Sequence, residues 1–144
     1  MENNSIVPTN QNQEMSLIQG NNRTYCSVKA ETNEEKKKLY NALESCDILI
    51  NDIVGQKIKV KDVYIQEFPR TNKDTGEPMT NGHRVILFDE AGKTYVTASN
   101  YFFISLIKVL NAFGDPQTWD APLEIEITKR PTKGGNNCLS LKLV

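Results

Sequence analysis

An amphipathic helix that follows three strands and precedes two more is the feature that most constrains this fold. The segment HRVILFDEAGKTYVTASNYFFISLIKVLNAFG, residues 83–114, contains two apolar runs around a glycine turn, followed by apolar residues at helical spacing. The apolar runs predict strands at residues 83–89 and 93–98. Gly92 lies in the tight hairpin between them, where a positive φ is expected.

The helix in this segment has clear limits. Ser99 or Asn100 can cap its start, the last turn reaches about Phe113, and Gly114 ends it. The apolar stripe that is expected to face the core consists of Phe102 or Phe103, Leu106, Ile107, Leu110 and Phe113.

The segment before the hairpin predicts a long, bent first strand. In GQKIKVKDVYIQEF, Ile58 and Val60 alternate with lysines; the phase then slips by one, so that Val63 and Ile65 continue the apolar face. Tyr64 falls on the polar face in this phase. A slip of one residue within a strand is typical of a β-bulge, which bends the strand.

Two short strands follow the helix, because apolar residues alternate in the segments 123–127 and 139–143. The complete order is three strands, a helix and two strands. This order is that of the OB-fold, a mainly β, five-stranded Greek-key barrel whose helix lies between strands three and four. An SH3-like or other small barrel is the alternative, in which a helix of this length is less expected.

The chain divides into three predicted parts. Residues 1–22 are rich in Asn and Gln and predict a flexible polar arm. Residues 23–52 predict a short strand and a lead-in helix, because Thr32 and Glu35 have the spacing of a capping box. Residues 53–144 form the predicted barrel.

Composition narrows the classes of function. The formal net charge is −1, so a surface that binds anions must be a local one. The three cysteines and one histidine lack the paired local spacing of zinc ligands, so no metal or cofactor is expected. The sequence has no phosphate-binding GK[ST] loop, no catalytic triad pattern and no converging set of acids, which predicts a protein that is not an enzyme.

Two further absences favour a cytoplasmic protein. No apolar run approaches the ~20 residues needed to cross a bilayer. The beginning of the sequence lacks the basic-then-apolar pattern of a secretion signal.

The layout of the chain resembles the single-stranded DNA-binding proteins of bacteriophages and mobile elements of Gram-positive bacteria. The resemblance covers roughly residues 45–144 and rests on GQKIKVKDVYIQEF, the following hairpin, the helix NYFFISLIKVLNAFG and the short final hairpin. It implies a non-catalytic protein of the bacterial host cytoplasm. Such a protein coats and protects single-stranded DNA during DNA replication, with replication or recombination proteins as further partners and with self-association as an option.

The predicted fold places a binding groove across strands two and three, between the loops that join strands one to two and four to five. Single-strand binders combine cations that follow the phosphates with aromatic rings that stack on bases. The candidate residues are Lys57, Lys59, Lys61, Tyr64, Phe68, Arg70, Lys73, Arg84, Tyr95, Lys129, Arg130 and Lys133.

Several of these residues have a structural alternative. Tyr64 and Tyr95 could be buried, and Arg84 could pair with a neighbouring carboxylate. Tyr101 is expected to pack against the barrel, and Trp119 to anchor its loop. For the whole chain, the alternative function is an OB-fold module that binds a replication or recombination protein. An oligosaccharide-binding or structural phage barrel is a third, less favoured reading.

Overall fold

A computed structural model describes residues 23–144, so the predicted arm at residues 1–22 lies outside the described residues. Within residues 23–144, a single sheet is accompanied by two α-helices and two short 3₁₀ turns, Ile50–Ile53 and Pro116–Thr118. The strands are β1 (Thr24–Cys26), β2 (Ile48–Leu49), β3 (Lys57–Thr71), β4 (Pro78–Asp89), β5 (Thr94–Thr97), β6 (Leu123–Pro131) and β7 (Asn137–Leu143). The helices are α1 (Asn33–Glu44) and α2 (Asn100–Phe113).

The sheet is curled around β3, its longest strand. The strand order is β2-β5-β4-β3-β6-β7, and β1 also pairs with β3. Most pairs are antiparallel, whereas β2 and β5 are parallel. β3 pairs with β6 through residues 57–60 and with β1 through residues 64–66, so it changes partner along its length. This change of partner is what a strongly curled, half-barrel sheet requires.

The predicted bulge in β3 is confirmed. Val60 is opposite Asp89 and Asp62 is opposite Phe88, which leaves Lys61 as an extra residue on β3. The bulge keeps the apolar side chains before and after it on one face. The side chains that it aligns in the main core are Ile58, Val60, Val63 and Ile65.

Helix α2 closes the main core as the sequence predicts. The Ser99 hydroxyl accepts a hydrogen bond from the Phe102 backbone N–H, and Gly114 ends the helix with φ 83°. Phe102 and Leu106 are buried in the main core with Leu110. Phe113 is the exception to the predicted stripe: as the last residue of the helix, it is 47% exposed.

Helix α1 covers the other face of the sheet. Its predicted capping box is present, because Thr32 accepts from the Glu35 backbone N–H and the Glu35 carboxylate accepts from the Thr32 backbone N–H. Leu39 packs with Tyr64 and Ile86 in a second, smaller core. Because successive side chains of a strand alternate between faces, this second core lies opposite the main one.

The mainly β prediction, with the helix after the hairpin and before the last two strands, is confirmed and is consistent with an OB-like barrel. Residues 53–144 contain five strands, β3 to β7, and β1 and β2 of the preceding segment add to the same sheet. Among the described strands, β5 pairs with β2 and β4 and not with β7. β2 and β7 are the two end strands of the order β2-β5-β4-β3-β6-β7, and the sheet stays open between them.

Candidate nucleic-acid interface

Two aromatic residues that the sequence offered as stacking platforms are buried. Tyr64 is 4% exposed beneath α1, since the face that looks polar in the sequence is covered by that helix. Tyr95 belongs to the main core, and its hydroxyl donates to Asp89 Oδ2 at 2.8 Å. Burial, together with this carboxylate, raises the pKa of Tyr95 to about 12. Neither ring is open to a base, which corrects the expectation for both.

Arg84 is used inside the molecule. Its Nη2 donates to the backbone oxygen of Leu43 at 3.2 Å, in the last turn of α1, and lies 3.8 Å from Cys46 Sγ. A cation at this position binds a carbonyl at the C-terminal end of α1, to which the Cys46 thiol also donates at 3.7 Å. This contact fixes α1 on the sheet, and the phosphate contact of Arg84 stays a prediction.

The three strand lysines, Lys57, Lys59 and Lys61, are exposed as predicted. However, Lys57 lies opposite Glu126 and Lys59 lies opposite Glu124 in the register of β3 and β6. Opposite charges in cross-strand positions attract and neutralise one another. This face of the sheet therefore carries charges of both signs, and Glu126 also lies 3.8 Å from Lys142 of β7.

The five loop cations are also exposed, but they form two groups. In the register of β3 and β6, Lys57 at the start of β3 lies opposite Glu126. β6 therefore extends beyond the start of β3 before it reaches Lys129. Arg70 lies near the other end of β3. The β3–β4 hairpin, with Arg70 and Lys73, and the β6–β7 hairpin, with Lys129, Arg130 and Lys133, therefore leave opposite ends of β3.

At the β3–β4 hairpin, an aromatic ring lies beside a cation. Phe68 is half-buried and lies opposite Gly82 in the register of β3 and β4. Its ring covers the glycine. A Cβ added to Gly82 would lie 2.5 Å from Phe68 Cζ and 2.9 Å from Arg70 Cδ. The glycine thus lets the ring and the stem of Arg70 rest on the backbone of β4, which keeps them together at this end of the sheet.

Gly82→Ala is expected to lower the free energy of unfolding by about 1–3 kcal/mol, because the new methyl group must displace the Phe68 ring. Gly82 is not among the positive-φ glycines, so the cost comes from space alone. Urea unfolding measures it. Gly134→Ala is the matched control, since a Cβ there meets no atom within 4 Å. Equal stability of the two variants would contradict the close packing of Phe68.

At the β6–β7 hairpin, the structure shows an open cleft of about 530 Å³. It lies between this hairpin, the start of α2 and the 3₁₀ turn at Ile50–Ile53. Its lining residues are Asn51, Ser99, Tyr101, Lys129, Thr132, Asn136, Asn137, Cys138 and Leu139.

Tyr101 lies in a different place from the one that the sequence predicts. It was expected to pack against the barrel, but it is 57% exposed on the wall of the cleft. The signal was present in the helical periodicity, because Tyr101 falls outside the stripe formed by Phe102, Leu106 and Leu110. Asn136 and Asn137 gave no signal, since loop asparagines are common in turns.

Two other aromatic contacts are internal. Trp119 anchors its loop as predicted, because its Nε1 donates to the Gly114 backbone oxygen at 3.0 Å. His83 stacks on Phe103 with ring centroids 3.7 Å apart, and its Nε2 lies 3.5 Å from Glu67 Oε2.

The described part of the chain shows neither a metal cluster nor a membrane span. Within residues 23–144, no three His, Cys, Asp or Glu side chains are grouped so that they could hold a metal ion. The helices described here are too short or too polar to cross a membrane.

A comparison with known families finds a match over most of the chain. A family model described as phage single-stranded DNA-binding protein, of the Phi29 type, matches residues 19–144. The matched range includes both helices, the β3–β4 and β6–β7 hairpins and the cleft. Comparisons with curated proteins and with solved structures found no match.

Proposed function

The chain belongs to the Phi29-type family of phage single-stranded DNA-binding proteins, and from this we propose that it coats and protects single-stranded DNA during phage or mobile-element replication. The family match over residues 19–144 carries the proposal. The family is a non-catalytic DNA-binding family, and the protein is not an enzyme. The proposed place of action is the cytoplasm of the bacterial host cell.

The proposed mechanism combines phosphate tracking with base stacking on a curled, OB-type sheet. The exposed cations of the two hairpins supply local positive charge, although the formal net charge of the chain is −1. Phe68, beside Arg70, supplies an aromatic surface at one hairpin. Phosphates and ring faces are common to all nucleotides, so this mode of binding has little sequence preference.

The test is fluorescence anisotropy of a labelled oligothymidine, with an unlabelled duplex of the same length as competitor, at about 50 and 200 mM salt. We expect tight binding to the single strand, weak competition by the duplex, and lower affinity at the higher salt. Salt weakens binding because each phosphate contact releases a condensed counterion. A folded protein that binds neither nucleic acid at either salt would contradict the proposed function.

A second role, in binding a replication or recombination protein or another copy of this chain, is supported by β7. This strand lies at one edge of the sheet, and its end exposes Leu143, followed by Val144. An edge strand can accept a further strand from a partner, and apolar side chains add to such a contact. This role becomes the leading one if the folded protein fails to bind single-stranded DNA.

A further inference from the structure

The cleft at the β6–β7 hairpin lies at the opening of the curled sheet. Asn51, on its wall, lies in the turn that follows β2, and Leu139, on its other wall, belongs to β7. β2 and β7 are the two end strands of the path β2-β5-β4-β3-β6-β7, so the cleft lies between the two open ends of the sheet. The cleft volume of about 530 Å³ falls within the range of roughly 300–1,000 Å³ that is usual for small-ligand sites. A group the size of one nucleotide is therefore a suitable occupant.

Tyr101 gives the cleft an accessible aromatic ring. Most large apolar side chains of α2 point into the main core, whereas Tyr101 is exposed on the cleft wall. A base that stacks on such a ring gains about 5- to 150-fold in affinity, largely regardless of its identity.

The other groups on the walls suit a phosphate and a base edge. Lys129 is exposed at the cleft, and none of the described residues that line it is acidic. Its positive charge is therefore not neutralised from within the cleft. The asparagine side chains at positions 51, 136 and 137 each offer hydrogen-bond donors and an acceptor, so they can adapt to the edges of different bases.

From this arrangement we infer that the cleft is a subsite for one nucleotide of the bound single strand. Tyr101 stacks on the base and Lys129 binds the adjacent phosphate. The asparagine amides contact the base without selecting it. This subsite rests on the proposed function. It deepens that function because it gives one nucleotide of the bound strand a specific position at the opening of the sheet.

Cys138 reports whether the cleft is occupied, because it lines the cleft and is partly exposed. Labelling with iodoacetamide, followed by peptide mass spectrometry, measures its reaction rate with and without saturating oligothymidine. We expect the bound strand to slow labelling of Cys138 about tenfold or more, by blocking access to the thiol. Cys46, which follows the end of α1 and packs against the second core, is the internal control and keeps its rate. Cys26 gives little signal, because burial raises the pKa of its thiol to about 11.

Variants test the stacking step separately. Tyr101→Ala is expected to weaken oligothymidine binding about 5- to 150-fold, and Tyr101→Phe to retain most of the affinity, because the ring is kept. Tyr40→Ala is the matched control, since Tyr40 is exposed on α1, which covers the other face of the sheet. We expect it to bind as the wild type does.

The outcomes separate the subsite from the proposed function. Wild-type binding without protection of Cys138 would overturn the subsite and leave the coating function intact. Protection of Cys138 with unchanged affinity of Tyr101→Ala would overturn the stacking role. A wild-type protein that is folded and binds no single strand would overturn the proposed function, and the subsite with it.

Discussion

Tyr64→Ala is expected to lower the free energy of unfolding by about 3–5 kcal/mol, the usual cost of removing a buried aromatic side chain. The Tyr64 ring fills the second core, between Ile86 on the sheet and Leu39 on α1, and it is 4% exposed. Its loss leaves a cavity that the sheet and the helix can close only in part. Urea unfolding followed by circular dichroism measures the change.

The same variant is expected to bind oligothymidine with wild-type affinity wherever it is folded, because the missing ring lies beneath α1. Tyr40→Ala is its matched control: this tyrosine is 64% exposed on the same helix. Its expected change is within about 0.5 kcal/mol, as for most surface substitutions. If folded Tyr64→Ala loses affinity while Tyr40→Ala does not, the packing of the second core contributes to DNA binding.

Tyr64 also shows which part of the fold the sequence could predict. The bulge in β3 and the start and end of α2 are local features, and the spacing of apolar residues and caps identified them. The burial of Tyr64 beneath α1 depends on contacts between residues that are far apart in the sequence. Alternation divides a strand into two faces, but it does not show that a helix some twenty residues earlier in the chain covers the second face.

The candidate site divides in the same way. Exposure of the loop cations was predictable, because charged residues among turn formers stay in water. Their separation into two groups was not, since it depends on β6 pairing with the start of β3 and on the curl of the sheet. Arg84 illustrates the limit further: its partner is a backbone oxygen, at Leu43, and backbone acceptors leave no signature in a sequence.

Replacing the three cations of the β6–β7 hairpin, Lys129, Arg130 and Lys133, by alanine is expected to flatten the salt dependence of oligothymidine binding. For single strands, the slope of log K against log salt is about −0.7 per phosphate contact, so three lost contacts reduce the slope by about 2. Between 1 M and 0.1 M salt, the affinity of the variant relative to the wild type is therefore expected to fall by about 100-fold. Anisotropy titrations at several salt concentrations measure both quantities.

The control removes the same charge from another place. Lys36, Lys37 and Lys38 are exposed on α1, and their replacement by alanine lowers the net charge by the same amount. If the bound strand follows the β6–β7 hairpin, the α1 variant keeps the wild-type slope while the hairpin variant loses it. If both variants instead show the same reduced slope, total charge governs binding, because a delocalised field does not distinguish the two positions. The comparison therefore tests whether a chain with a formal net charge of −1 binds DNA through a local cationic surface.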